Sequence, residues 1–142
     1  MNIQRKLRKI RDVSKLFVFG LPKYAIGSID VTNRCNLRCE HCYFFAEDHD
    51  NERELSIDKW IDKLEKMKAD GHPMMLCTWV GGEPMVRKQL IEVGRNYFKH
   101  NTIVTNGTME LPDWPNCTWV ISIDGTEEAF ANMRAPGIYQ KI

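Results

Sequence analysis

Three cysteines stand close together in the first third of the chain, in the spacing C-x3-C-x2-C: Cys35, Cys39 and Cys42. Thiolates at such short separations are typical of metal sites. A structural zinc ion takes four ligands, usually as two separated C-x2-C pairs, and no second pair follows, since Cys77 and Cys117 stand alone. A cubane iron–sulfur cluster can be held by three thiolates, which leaves one iron open to a ligand that is not protein. The triplet therefore favours an iron–sulfur cluster with one iron available for chemistry.

The cysteine loop and three later motifs resemble those of the radical S-adenosylmethionine (radical SAM) enzymes. Residues 35–43 (CNLRCEHCY) are similar to the cluster loop of that family, including the aromatic Tyr43 directly after the third cysteine. Residues 81–84 (GGEP), 105–107 (TNG) and 122–125 (SIDG) resemble the family's segments at the ends of the second, third and fourth strands. The four motifs occur in the family's order, so the chain is identified as a member of it.

The resemblance implies two cofactors, a 4Fe-4S cluster held by the three cysteines and S-adenosylmethionine, whose amine and carboxylate chelate the open iron. Gly81, Gly82 and Glu83 would receive the methionyl amine. A glycine pair at a strand end lets backbone groups approach a ligand without obstruction from Cβ. The alternative for these residues is a plain strand-to-helix turn with a solvated carboxylate.

Four further residues complete the cofactor site that the resemblance implies. Tyr43 would lie along the adenine, or else cover apolar surface at the rim. Asn106, Ser122 and Asp124 would bind ribose hydroxyls or the methionyl carboxylate, although each alone could be turn chemistry. In the implied reaction, the reduced cluster cleaves S-adenosylmethionine and the resulting 5'-deoxyadenosyl radical takes a hydrogen atom from the substrate. An electron donor such as flavodoxin or ferredoxin would be a partner, and no side chain is required as a catalytic base.

Composition and charge indicate one ordinary domain preceded by a basic arm. The chain has 142 residues, of which 43% are hydrophobic, and a net charge of +1. Residues 1–24 hold seven Lys or Arg against one Asp (+6), whereas residues 25–142 hold thirteen against eighteen acidic residues (−5). The sequence contains no run of about 18 apolar residues, the length that a membrane-spanning helix needs. No secretory signal is recognisable. Five cysteines, an odd number, also suit a reducing compartment, so we expect a cytoplasmic location.

The arm, residues 1–24, predicts a basic amphipathic helix. Its apolar residues Ile3, Leu7, Ile10 and Phe17 recur at helical spacing, with six Lys or Arg between them. Such a helix can make weak contact with an anionic membrane surface. The alternative, which we favour, is a helix packed on the outside of the domain with its cations in water. No nucleic-acid partner is expected.

Residues 25–142 predict alternating strands and helices. Strands are expected at residues 25–31, 74–80, 102–105 and 119–123. The continuous apolar run at residues 74–80 predicts a buried parallel strand, with Cys77 in the core. An acidic, exposed stretch at residues 47–54 precedes a helix capped by Ser56, and a second helix is centred on residues 90–98. This alternation predicts an α/β fold with a parallel sheet and right-handed crossovers. With the resemblance, it implies a partial parallel (β/α) barrel of the radical SAM type with about four of the six βα units present.

The substrate stays open at this point. Residues 127–137 look like a segment of radical SAM enzymes that modify peptides or proteins, although Arg134-Ala135 departs from the arginine and glycine common there. A lipid or other small-molecule substrate is the other possibility. Two classes of protein compete with the enzyme: a zinc or redox-binding module, and an inactive or partner-dependent iron–sulfur binding fragment. A strand and its following helix take roughly 30 residues, so residues 25–142 have room for about four such units. Because the resemblance implies six, we expect a fragment of a longer enzyme, or a chain that associates with another.

Overall fold

Strands and helices alternate along the chain in a computed structural model that describes residues 3–4, 7, 10–11, 14, 26–46, 53–70 and 74–142. The strands are β1 (Ile26–Asp30), β2 (Leu76–Val80), β3 (His100–Thr105) and β4 (Cys117–Ile121). The helices are α1 (Tyr43–Ala46), α2 (Ile57–Ala69), α3 (Lys88–Gly94) and α4 (Glu127–Met133). Short 3-10 turns occupy Pro84–Arg87, Arg95–Tyr97 and Tyr139–Lys141.

The four strands form one parallel sheet in the order β1-β2-β3-β4, which confirms the predicted α/β class. Trp79 of β2 lies in register with Ile29 on one side and Ile103 on the other. Because all strands run the same way, their carboxyl ends meet at one edge of the sheet. The cysteine loop and the three later motifs all follow strands, so the fold brings them to this edge, where barrels of this architecture carry their chemistry.

The core packs between the sheet and the helices α2 and α3. Trp79, Leu64 and Ile91 are fully buried, and the Trp79 indole donates to Asn101 Oδ1 at 2.8 Å. A Cβ on Gly94 of α3 would lie 2.5 Å from the Trp79 ring, so glycine is required for the helix to pack this closely. Side chains of β2 alternate between buried and half-buried, rather than being buried throughout as the apolar run suggests.

Element boundaries depart from the sequence prediction in small ways. Helix α2 begins after the predicted cap, since Ser56 Oγ accepts from Lys59 N, and it ends at Ala69. Strand β4 begins at Cys117, two residues earlier than predicted, because Cys117 pairs with Asn101 of β3. Cys77 is buried in the core, as expected. Because β4 ends at Ile121, residues 122–125 follow the strand and are outside regular secondary structure.

The N-terminal arm is described only at a few positions. Ile3, Gln4, Leu7, Ile10, Arg11 and Ser14 are helical, which agrees with the predicted helix at those positions. Its apolar side chains Ile3, Leu7 and Ile10 are exposed. Phe17 and the predicted helix end lie outside the described residues. Within the described parts of the chain, no helix is both long enough and apolar enough to cross a membrane.

Candidate functional site

A cavity of about 250 Å3 opens at the carboxyl edge of the sheet. It is lined by the cysteine loop together with residues at the ends of β2, β3 and β4. Nine of the ten predicted site residues line it, namely Cys35, Cys39, Cys42, Tyr43, Gly81, Gly82, Glu83, Asn106 and Ser122. The tenth, Asp124, lies outside the lining. Among these predicted residues, Cys35 and Ser122 lie 87 residues apart in sequence, and the parallel sheet brings both to one cavity.

The cysteine loop, which in the structure comprises residues 31–42, follows β1 directly and has little regular structure before α1. All three thiols are half-buried, and none forms a disulfide. The loop bends back on itself through the hydrogen bond from Cys42 N to Cys39 O at 3.1 Å, while Leu37 N donates to Cys35 Sγ at 3.4 Å. Burial is the largest influence on Cys35 and Cys39 and raises the pKa of both thiols. Because metals bind the thiolate, uptake of a metal group here releases protons.

The three thiols are a donor set that a cubane cluster can accept. A cubane cluster presents a separate iron to each cysteine, so its three ligands need not converge on one point. The three sulfurs lie around a cavity shared with the glycine turn at residues 81–83, which leaves room beside them for a further ligand.

The glycine turn packs against the start of the cysteine loop. Gly82 N donates to Thr32 O at 2.8 Å, and Glu83 N donates to Arg34 O at 2.9 Å. A Cβ on Gly81 would lie 2.6 Å from Thr32 O, and one on Gly82 would lie 2.4 Å from Arg34 O. Gly81 also has a φ of +119°, which favours glycine. The missing Cβ atoms therefore let the backbone of the cysteine loop approach both glycines, and approach of a ligand stays a prediction.

Glu83 has a buried carboxylate, with 1% of the residue exposed. Its Oε1 accepts from Met85 N at 2.9 Å and from the Thr105 hydroxyl at 2.8 Å. Its Oε2 accepts from Asn106 N at 2.8 Å. A solvated carboxylate was the alternative for this residue, and its burial contradicts that alternative. The side chain ties the glycine turn to the end of β3.

Asn106 and Ser122 both line the cavity from neighbouring strand ends. The Asn106 amide donates to Asn36 Oδ1 at 2.9 Å and lies 4.0 Å from Cys35 Sγ. Its Oδ1 accepts from Thr108 N at 3.0 Å. Ser122 is half-buried, and its N–H bonds to the carbonyl of Thr105 at 3.0 Å. Asn106 therefore contacts the cysteine loop as well as the cavity.

Asp124 pairs with Arg134 instead of facing the cavity. The Arg134 guanidinium donates to both carboxylate oxygens of Asp124, and this hydrogen bonding lowers the pKa of Asp124. His41 Nε2 lies 4.0 Å from the same carboxylate. Arg134 and His41 both line the cavity, although the sequence analysis gave neither residue a site role. Tyr43 is the first residue of α1 and is 73% exposed, which places it at the rim.

Glu54 and Arg87 anchor the first residues of the cysteine loop, and the sequence analysis missed both. Glu54 accepts from the Thr32 hydroxyl and from Asn33 N at 2.9 Å. Arg87 donates to Val31 O at 3.0 Å and lies 3.6 Å from the Glu54 carboxylate. The Glu54 side chain is 22% exposed, so the prediction of an exposed acidic stretch is wrong at this residue. No spacing or motif links it to the loop, because the contact is made only in the folded chain.

Comparison with known proteins agrees with this architecture. The family model of the Radical SAM superfamily matches residues 29–139. The chain is 36% identical over 99 residues to Fe-coproporphyrin III synthase of Methanosarcina barkeri, covering 68% of this chain and 24% of that protein. It is 31% identical over 114 residues to the serine-type anaerobic sulfatase-maturating enzyme of Bacteroides thetaiotaomicron, covering 66% and 28%. The fold is similar to Streptococcus suis SuiB bound to precursor peptide SuiA, with a TM-score of 0.59, 19% identity, and coverage of 96% and 33%.

The matched region includes all four motifs and the three cysteines. The chain spans about a quarter to a third of the length of these relatives, from 24% to 33%. The match to the family model covers more than half of the chain, which is enough to assign the family. The chain belongs to the radical SAM superfamily.

Proposed function

We propose that Cys35, Cys39 and Cys42 hold a 4Fe-4S cluster and that the adjoining cavity binds S-adenosylmethionine. The observation that carries this proposal is the single cavity shared by all three thiols and the glycine turn at residues 81–83. When bound and reduced, the cluster would supply one electron to the sulfonium, whose carbon–sulfur bond would break to give methionine and a 5'-deoxyadenosyl radical that would abstract a hydrogen atom from the substrate. An external one-electron donor, such as a flavodoxin or ferredoxin, is required to reduce the cluster.

The residues around the cavity divide into those that contact the cofactor and those that shape its site. Gly81 and Gly82 offer backbone to the methionyl amine, while Glu83, whose carboxylate is already bonded to the protein, holds their turn in place. Ser122 and Asn106 present a hydroxyl and an amide from adjacent strand ends toward the ribose or the methionyl carboxylate.

Two residues receive roles that follow from where they lie. Tyr43 stands at the rim, where its ring can cover the adenine and limit access of water. Asp124 lies outside the cavity lining and holds Arg134, so we assign it to that arginine rather than to the cofactor. The cofactor carries the difficult chemical step, and the protein positions it and excludes water.

We further propose a peptide or protein substrate. Support comes from SuiB, which is described as bound to a precursor peptide, and from the relative named as a sulfatase-maturating enzyme. The relative named Fe-coproporphyrin III synthase keeps a small-molecule substrate as the alternative. An iron–sulfur binding chain that depends on a partner for activity is the second candidate.

Anaerobic reconstitution with iron and sulfide tests the proposal. The wild-type chain should bind iron and sulfide, become brown, and release 5'-deoxyadenosine from S-adenosylmethionine when reduced by dithionite. Alanine at Cys35, Cys39 or Cys42 should abolish cluster binding, whereas Cys77→Ala is the control that should retain it, since Cys77 lies in the core. Full iron and sulfide content in Cys39→Ala would overturn the cluster assignment. Cluster binding without cleavage would favour the partner-dependent candidate.

A further inference from the structure

Arg134 and Asp124 form a closely held ion pair beside the cysteine loop. Arg134 directly follows α4, and its Nε and Nη2 donate to the two oxygens of Asp124, with Nη2 3.3 Å from Oδ1. Their side chains are 13% and 22% exposed, so solvent screens this pair only partly. Two parallel hydrogen bonds from one guanidinium fix its plane as well as its position.

The third contact of this guanidinium is with a proposed cluster ligand. Arg134 Nη1 lies 3.9 Å from Cys39 Sγ, within the range of a hydrogen bond to sulfur. A backbone hydrogen bond next to this contact joins the same two segments, because Glu40 N donates to Met133 O at 3.0 Å. The end of α4 and the middle of the cysteine loop are thus joined by a side-chain contact and by a neighbouring backbone hydrogen bond. The guanidinium is therefore directed toward Cys39 by its hydrogen bonds to Asp124 and by the backbone hydrogen bond beside it.

We propose that Arg134 is a positioning residue of the cluster site, which donates to the Cys39 thiolate and raises the reduction potential of the bound cluster, while Asp124 orients it and opposes its charge. This inference rests on the proposed function of the three cysteines. A hydrogen-bond donor and a positive charge beside a ligand sulfur favour the more negative, reduced cluster, and a carboxylate has the opposite effect. Outer contacts of this kind tune a metal group without binding it directly.

A purely structural tether is the competing role for this pair, and the two roles differ in their effect on potential. Removing Arg134 leaves the negative charge of Asp124 near the cluster, so the potential should fall. Removing the charge of Asp124 leaves the positive charge of Arg134, so the potential should rise. A structural tether has no reason to produce shifts of opposite sign, since both substitutions break the same contact.

The test is a redox titration, followed by electron paramagnetic resonance, of the reconstituted chain without S-adenosylmethionine. Arg134→Gln should shift the midpoint potential downward, Asp124→Asn should shift it upward, and the double variant should return toward the wild type. Arg134→Lys keeps the charge and should shift it less than Arg134→Gln. Glu128→Gln is the matched control, because it removes one carboxylate charge from the exposed face of α4 and should leave the potential unchanged.

Shifts of the same sign, or no shift, in Arg134→Gln and Asp124→Asn with normal cluster content would overturn the inference. If Arg134→Gln fails to retain a cluster, the upward shift of Asp124→Asn decides alone. If both variants lose the cluster while their circular dichroism stays native, the pair is only a tether and the inference is wrong. A wild-type chain that binds no cluster would instead overturn the proposed function, and this inference with it.

Discussion

Gly82 offers the sharpest test of how the glycine turn supports the cysteine loop. An added Cβ would lie 2.4 Å from Arg34 O and 2.8 Å from the carbonyl carbon of the same residue. Both are backbone atoms of Arg34. The hydrogen bond from Glu83 N to Arg34 O, at 2.9 Å, holds the glycine turn against the cysteine loop, so the two segments cannot easily move apart. Gly82 is not among the glycines with positive φ, so steric overlap is the expected effect. We expect Gly82→Ala to lower the free energy of unfolding by about 1–3 kcal/mol, the usual cost of overpacking.

The same substitution should also weaken cluster binding, because Arg34 immediately precedes the proposed ligand Cys35. Urea unfolding of the cluster-free chain measures the stability, and iron bound per chain after reconstitution measures the site. Gly27→Ala in β1 is the matched control, since nothing lies within 4 Å of its added Cβ. If Gly82→Ala matched Gly27→Ala in both measurements, the proposed packing of the turn on the loop would be refuted.

Two further predictions concern Glu83, which holds the glycine turn, and Glu54, which holds the cysteine loop. Glu83→Gln should destabilise the chain by about 1–3 kcal/mol, because its amide NH2 would face the backbone N–H of Met85 or of Asn106, neither of which can accept; an unchanged urea midpoint would contradict this. Burial alone would raise the pKa of Glu54, but hydrogen bonds from Thr32 and the loop backbone, with nearby arginines, lower it overall. The Glu54 carboxylate therefore contributes its full stabilisation of the folded chain above a pH of about 4.3, the pKa of a glutamate in an unfolded chain. This contribution is lost as the pH falls through the lower pKa that Glu54 has in the folded chain. Glu54→Gln should be less stable than the wild type at neutral pH, with a difference that shrinks in acid; a difference independent of pH would disprove the linkage.

Much of the fold could be predicted from local sequence patterns. The apolar run ending at Val80 and the helical spacing after Ser56 each identified an element correctly, because burial imposes those patterns along the chain. Strand ends were less predictable. His100 and Asn101 belong to β3 although both are polar, since their backbone pairs with β2. Asn101 is also buried because it accepts from the Trp79 indole, a contact that no local pattern encodes.

The site was predictable where its residues follow strands directly. Parallel strands bring their carboxyl ends to one edge, so motifs far apart in sequence line the same cavity. The supporting residues could not be found in this way. Arg87 lies 56 residues from its acceptor Val31, and Arg134 lies 95 residues from Cys39. Asp124 belonged to a recognised motif, but its partner Arg134 was identified only from the folded chain.

These supporting contacts reduce the free energy that binding of the proposed cluster must spend on ordering the cysteine loop. The loop is held at its start by Glu54, near Cys35 by Asn106, and near Cys39 by Arg134. Ordering a free backbone costs about 1–2 kcal/mol per residue, and a ligand that must order its own site loses that amount from its affinity. Because protein contacts already fix the loop, cluster binding need not supply this free energy. In the proposed function, the spacing of the cysteines thus selects the metal group, whereas we expect residues outside the motif to determine how firmly it is held and in what electrostatic surroundings.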